Sequence, residues 1–368
     1  MNVLHFPEVP AKTKFDLAVF ICPNGAGHHK RVFGALDLVL KARPETHTLV
    51  FADQTVTERF MKDFEPLQRI IASPNVAFMF GVVSPGMDIM AKDETVYTDR
   101  RWFTWLDRAS HYVEALRGAQ VWLDALPLGL EFWPDAICSS SFTFGPVVLQ
   151  KFGGGNDELA LVAKEYANKE ERLMKECLPT YICPKIFVMD FMHERARVKE
   201  VGIMADFKGL PKVKTARPMI GIGGGLTGLA GEILGQVVEI LLKDGRFGVA
   251  VDDKIGIKFP KLPVMGNDAA DYSVLATCVV RPGVGASTNC ITSATPVIAI
   301  SEPDMEMENN GKRFQQYHLG IQIHKADEVL GALETILSDE WQRNYALAHS
   351  QTSLDGLQEL ADEILKRL

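Results

Sequence analysis

The sequence predicts an α/β protein of two doubly wound domains, each a parallel sheet covered by helices, facing each other across a cleft. Three observations carry this. Apolar runs of strand length alternate with amphipathic stretches of helix length, the pattern of parallel strands joined by helical crossovers. The alternation comes in two series, separated by a polar, basic stretch, VKEVGIMADFKGLPKVKTAR (198–217), that Gly209 and Pro211 interrupt. Glycine-rich turns at 24–27, 221–225 and 283–285 fall at predicted carboxyl ends of strands, where sheets of this kind bind ligands.

In the first series FDLAVFI (15–21) reads as a buried strand and KRVFGALDLVLKAR (30–43) as an amphipathic helix that Arg43-Pro44 stops. THTLVFA (46–52) is the next strand, and TVTERFMKDF (55–64) the next helix, with Thr55 at its N-cap. VAFMFGVV (76–83) is a third strand and SPGMD (84–88) a loop. Residues 97–124 read as one or two helices with Trp102, Trp105 and Trp122 on apolar faces, where core packing is the expected role. PDAICSS (134–140) is a strand, 156–178 a helix and KIFVMDF (185–191) a strand.

The second series repeats the scheme. MIGIGGG (219–225) is a strand, 227–245 a helix closed by Gly245, and FGVAVDD (247–253) a strand. KLPVMG (261–266) is extended, 268–277 helical and CVVRPG (278–283) a strand. Helix 286–295, strand PVIAISE (296–302) and helix 306–320 follow, and two helices, 325–348 and 353–368, close the chain.

Composition bounds the function. With 368 residues, 47% hydrophobic and 23% charged, the chain has the profile of a soluble globular protein of one or two domains. The net charge of −8 is spread along the chain with no basic block, which argues against a nucleic-acid partner. No apolar run is long enough to span a bilayer, and MNVLHFPEVP has no secretory pattern, so a cytoplasmic location is expected. None of the six cysteines forms a C-x-x-C pair or has a second ligand at zinc spacing, so they read as buried free thiols and no metal site is expected.

Three loops could carry chemistry. In RPGVGASTNC (281–290), Gly283 and Gly285 let a ligand approach the backbone, and a helix starting at Ala286, Ser287 and Thr288 offers unpaired N–H groups to a phosphate; an ordinary strand–helix turn has the same composition. In GIGGGLTG (221–228), Gly223, Gly224 and Gly225 with Thr227 suit an anion or close packing equally. In NGAGHHKR (24–31), His28 opens a helix at a strand's carboxyl end, and a neutral imidazole there can accept a proton. His29 faces about 100° away and is expected on the surface. Lys30 and Arg31 read as solvated charges, Ser84 and Asp88 as candidates near the same strand ends, and Asp190, His193 and Glu194 as a polar interface. If Asp88 lay near His28 it would orient that ring.

Together these pieces resemble the GT-B glycosyltransferases that use nucleotide sugars, and most closely the pattern of the N-acetylglucosaminyltransferase of peptidoglycan synthesis and its relatives. The matching residues run in order along most of the chain: G-x-G-H at Gly25, Gly27 and His28; the glycines 223–225; Arg281, Gly283 and Pro296; then Glu306, Asn310, Gly311, Lys312 and Arg313. The resemblance implies two Rossmann-like domains, an acceptor-binding one at 1–205 and a nucleotide-sugar-binding one at 206–352, with the helix 353–368 returning to the first. It implies a donor, a UDP-sugar by preference, held by Gly224, Gly225, Val264, Met265, Arg281, Gly283, Gly285, Ala286, Ser287, Thr288, Asn289, Glu306 and Asn310. Within that set Ser287 and Thr288 meet the diphosphate, the 263–266 segment grips the base, and the 302–310 loop meets the sugar. A small-molecule or lipid-linked acceptor meets Gly25, Gly27, His29, Ser84 and Asp88, and His28 is the base of an inverting, metal-independent transfer without a cofactor. Two positions depart from the pattern: Asn289 stands where the family has a ribose-binding glutamate, and Met307 where it has glutamine. GAGHHKR also resembles the G-x-G-H-x-x-R loop of the UDP-sugar hydrolase of pseudaminic acid synthesis, and Arg31 is part of that match. Loss of glutamate at 289 would also suit a nucleotide-sugar-binding protein without turnover.

Overall fold

The computed structural model describes residues 14–22, 26–60, 63–80, 113–125, 127–140, 143–224, 228–266 and 268–368. They form two compact units, one of residues up to Pro184 with Val188–Val201 and Asp355–Leu368, the other of Lys185–Phe187 and Gly202–Leu354.

The first unit holds seven parallel strands: β1 (Leu17–Phe20), β2 (Thr48–Phe51), β3 (Val76–Met79), β4 (Gln120–Leu123), β5 (Ile137–Cys138), β6 (Thr180–Pro184) and β7 (Arg197–Val201), in the order β3-β2-β1-β4-β5-β6-β7. LAVF and TLVF are buried along their whole length, as strands covered on both faces must be. Helices α1 (Ala26–Ala42), α2 (Gln54–Phe60), α3 (Glu65–Ala72), α4 (Phe144–Phe152) and α5 (Glu158–Cys177) cover the sheet. The second unit holds β8 (Met219–Gly223), β9 (Gly248–Val251), β10 (Leu275–Val280), β11 (Val297–Ile300) and β12 (Gly320–Ile323), all parallel, in the order β12-β11-β10-β8-β9. Its helices are α6 (Gly228–Asp244), α7 (Ala269–Ser273), α8 (Val284–Thr292), α9 (Met305–Gln316), α10 (Val329–Ile336) and α11 (Asp339–Ser350). The last helix, α12 (Gly356–Leu365), belongs to the first unit and packs on α1, where a Cβ on Gly34 would lie 2.9 Å from Leu357 Cδ1.

Both sheets are doubly wound, and each has one place where the strand order reverses. In the first this is between β1 and β4, in the second between β8 and β10. Ligands of doubly wound sheets bind beyond the strands' carboxyl ends at such a reversal.

Several sequence expectations change. Trp122, expected on a helix, lies fully buried on strand β4 beside β1. The expected strand 185–191 is a short 3-10 turn, Lys185–Phe187, and the strand precedes it at Thr180–Pro184. Residues 198–201, read as part of a polar junction, belong to the sheet's edge strand Arg197–Val201, which explains their charges. Asp53 rather than Thr55 caps α2: its carboxylate accepts the Val56 N–H at 2.7 Å. Trp102 and Trp105 lie outside the described residues. No described helix is long and apolar enough to cross a membrane.

Lys212 fastens the 202–218 stretch to the second unit, donating to the carbonyls of Tyr272 (3.0 Å) and Leu275 (3.1 Å) and to the Thr295 hydroxyl. Burial pulls its ammonium down to about 8 from the ordinary 10.5. The unfolded chain therefore holds more protons than the folded one between these values, and stability rises as pH climbs from about 8 toward 10.5. Denaturant titrations at pH 8 and pH 10 should show this gain in the wild type, and Lys212→Met should show less of it.

Candidate functional site

In the first unit β1 and β4 run side by side, with Phe20 opposite Leu123, so the residues after them meet at the reversal of strand order. His28, in the first turns of α1, and Asp124, directly after β4, come together there: His28 Nδ1 lies 2.7 Å from Asp124 Oδ2. A carboxylate only accepts, so Nδ1 carries a proton, and in the neutral ring the lone pair falls on Nε2. The His28 side chain is 22% exposed, and Asp124 is fully buried.

Three groups hold the Asp124 carboxylate. Besides His28, Arg31 donates to Oδ1, and the Ser139 hydroxyl donates to Oδ1 at 3.0 Å. Trp122 Nε1 donates to that hydroxyl at 3.0 Å. Burial pushes the Asp124 carboxyl up, but the charges of Arg31 and His28 outweigh it and hold the group below the ordinary carboxylate value. The arrangement turns Nδ1 of the imidazole to Asp124 and leaves Nε2 as the ring nitrogen that can meet an acceptor's proton.

Neither Asp124 nor Ser139 was singled out from the sequence. The available signal was an acid directly after an apolar β-pattern, QVWLD, but the tryptophans nearby suggested a helix. The partner imagined for His28, Asp88, lies outside the described residues, as do Gly25 and Ser84. Gly27 is exposed, and a Cβ there would meet nothing within 4 Å. His29, expected on the surface, is fully buried with its ring edge-on to Phe33 at 6.0 Å, because the face of α1 turned from His28 packs inward. Arg31 is no solvated charge, with 10% of its side chain exposed.

In the second unit the reversal brings the end of β8 beside the end of β10. Gly224 has φ +107°, and a Cβ there would lie 2.8 Å from Arg281 O and 2.9 Å from Arg281 N, so only glycine fits. Arg281 Nε donates to Glu302 Oε2 at 2.5 Å, and Glu302 Oε1 accepts the Ala230 N–H in the first turn of α6 at 2.8 Å. Glu302 thus ties the start of α6 to the residues that follow β10 and β11. Beyond Arg281, Gly283 caps α8, and a Cβ on Gly283 or Gly285 would meet nothing within 4 Å. The first turn of α8 is therefore open to an approaching group, with Gly285 exposed and Ala286 half-buried.

The other expected donor contacts divide. Val264 is 60% exposed beside buried Met265. Val251 donates to Pro263 O and accepts from Met265 N, so the Val264 main-chain N–H and C=O point away from β9. Ser287 is fully buried, and its hydroxyl has no hydrogen-bond partner among the described residues. Thr288 and Asn289 are buried, and the Asn289 amide bonds the buried Tyr272 hydroxyl. Asn310 is 1% exposed and spends its amide on Pro282 O at 2.8 Å, bracing the turn that carries Gly283. Glu306 is half-buried within the electrostatic reach of Arg281. The expected 302–310 loop is mostly helix: Asp304 caps α9 by accepting the Glu306 N–H at 3.0 Å. Gly225 lies outside the described residues. Among the described residues no group of three His, Cys, Asp or Glu side chains could hold a metal ion.

No protein-family model matches the chain, and no curated protein sequence matches it. Solved structures do. CalG4, the calicheamicin glycosyltransferase, is 15% identical with a TM-score of 0.64 over 97% of this chain and 99% of its own. UGT71G1 of Medicago truncatula, solved with UDP-glucose, is 11% identical with a TM-score of 0.66 over 96% of this chain and 98% of its own. A UDP-glucose:anthocyanidin 3-O-glucosyltransferase solved with UDP is 10% identical with a TM-score of 0.64 over 96% and 100%. At such identities the likeness is one of fold: the chain is folded as these glycosyltransferases are, with the two doubly wound parallel units of the GT-B fold.

Proposed function

We propose that the protein is a glycosyltransferase that moves a sugar from a nucleotide-diphosphate sugar, by preference a UDP-sugar, to a hydroxyl or amine of an acceptor. The observation that carries this reading is the His28–Asp124 pair at the strand-order reversal of the first sheet. For a hydroxyl acceptor, His28 Nε2 takes the proton, the oxygen bonds to the anomeric carbon, and the bond from that carbon to the diphosphate breaks with its electron pair leaving on the nucleotide. Attack by the acceptor itself, with no covalent intermediate, inverts the anomeric centre. Asp124 stabilises the imidazolium that forms.

The donor reading rests on the second unit. The open first turn of α8 offers main-chain N–H groups and the positive end of the helix to a leaving diphosphate. With Ser287 buried, these amides rather than its hydroxyl are the proposed contacts. The outward-facing main chain of Val264 suits a pyrimidine edge. Several solved structures of the same fold hold UDP or UDP-glucose, which agrees with this choice of donor.

The test is turnover of UDP-glucose against a panel of hydroxyl and amine acceptors, with and without EDTA. Acceptor-dependent release of UDP is expected, unchanged by EDTA. His28→Ala should lower it by about 100- to 10,000-fold, the range for loss of a general base. Glucose released without any acceptor would favour the hydrolase, and UDP binding without turnover a binding protein.

A further inference from the structure

Arg31 lies three residues after His28 on α1, so both side chains share one face. Its NH2 group sits against three atoms: Asp124 Oδ1, the Ser139 carbonyl at 2.9 Å and His28 Nδ1 at 3.0 Å. One guanidinium nitrogen carries two protons. Nδ1 already gives its own proton to Asp124, so both Arg31 protons go to the carboxylate and the carbonyl. The guanidinium then stands beside the imidazole as a positive charge to which the ring offers no acceptor.

Ser139 tightens the arrangement. An indole N–H only donates, so the Ser139 hydroxyl must accept from Trp122 and can only donate to Asp124. Asp124 is thereby fixed in place and neutralised by Arg31 before His28 is considered. A lone buried carboxylate would favour the imidazolium; a carboxylate already paired with a guanidinium does so much less. Two thiols interact electrostatically with these residues, Cys138 on β5 with Asp124 and Cys183 on β6 with Arg31. Burial pushes both thiols up to about 12, so they bring no charge.

We propose that Arg31 is a positioning residue that keeps His28 in its proton-accepting form while holding Asp124 to fix the ring. The proposal builds on the reading of His28 as the base, yet its first test does not need turnover. Full-length protein carrying 15N-labelled histidine is titrated by NMR, with the His28 signals assigned by their loss in His28→Gln. In Arg31→Gln the pH midpoint of the His28 ring should rise by about one unit or more relative to wild type, the scale of removing a cation at contact distance. Arg31→Lys, which keeps the charge, should stay within about half a unit of wild type. The acid limb of the kcat/KM profile for UDP release from UDP-glucose should move with the midpoint, so that raised pH rescues Arg31→Gln. A midpoint that stays put or falls in Arg31→Gln overturns the proposal. Should that variant not fold, Arg31→Met, which keeps the apolar stem, carries the same two outcomes. If the midpoint moves while no variant or wild type turns over UDP-glucose, the role of Arg31 stands and the transferase reading falls.

Discussion

Replacing Asp124 by alanine should lower turnover about 1,000-fold and destabilise the first unit at once. The catalytic loss follows from geometry: without the carboxylate nothing fixes the Nδ1–H tautomer, and the imidazolium formed during transfer loses its counter-charge. The stability loss follows from burial. Asp124 is fully buried and Arg31 is 10% exposed, so the variant leaves a guanidinium largely out of water without its counter-charge, facing the neutral Ser139 carbonyl and the His28 ring. Breaking a buried pair from one side costs about 3–5 kcal/mol. Denaturant unfolding and UDP-glucose turnover on the same preparation check both halves. A stable variant with lost turnover would place Asp124 in catalysis alone, and a destabilised variant with full turnover would remove it from the mechanism.

Gly224→Ala should produce the largest effect in the second unit. The residue has a positive φ, and an added methyl group would meet the Arg281 main chain at 2.8 and 2.9 Å, atoms that cannot swing aside as a side-chain tip can. Either β8 or the Arg281–Gly283 turn must move. The strained backbone and the clash together should cost about 2–4 kcal/mol. Because that turn leads into α8, affinity for UDP should fall about tenfold or more in the molecules that remain folded. A thermal melt and a UDP titration of Gly224→Ala read the two effects separately. Gly235→Ala on α6 is the control, since a Cβ there would meet nothing within 4 Å of the protein and the residue is not part of the proposed nucleotide site.

The alternation of strands and helices was legible because buried parallel strands such as LAVF and VIAI are continuous apolar runs, which no exposed element tolerates. The misread elements share a physical cause. QVWL has a central tryptophan amid other tryptophans and passes for a helix face, yet it is a fully wound central strand. RVKEV is polar because an edge strand has one neighbour and meets water on its open side.

The site was legible only where one loop carries it. His28 announces itself as a histidine that no turn requires. Asp124 is 96 residues away, and only the β1–β4 pairing brings it close. Position in a motif also says less than it suggests about a side chain's work. Asn310 falls where the family pattern has asparagine, and it braces Pro282. His29 is one residue from His28 and is core. Arg31 matched a hydrolase loop in sequence, and what it does is hold Asp124.

The most direct test of the nucleotide site is a calorimetric titration of the full chain with UDP, run beside TDP, GDP and ADP. Saturable one-to-one binding of UDP in preference to the purine diphosphates is expected, weakened by Gly224→Ala and unaffected by His28→Ala, whose residue lies in the other unit. Absence of binding by every diphosphate would contradict the donor reading, because the open turn of α8 and the outward main chain of Val264 would then not form a nucleotide site.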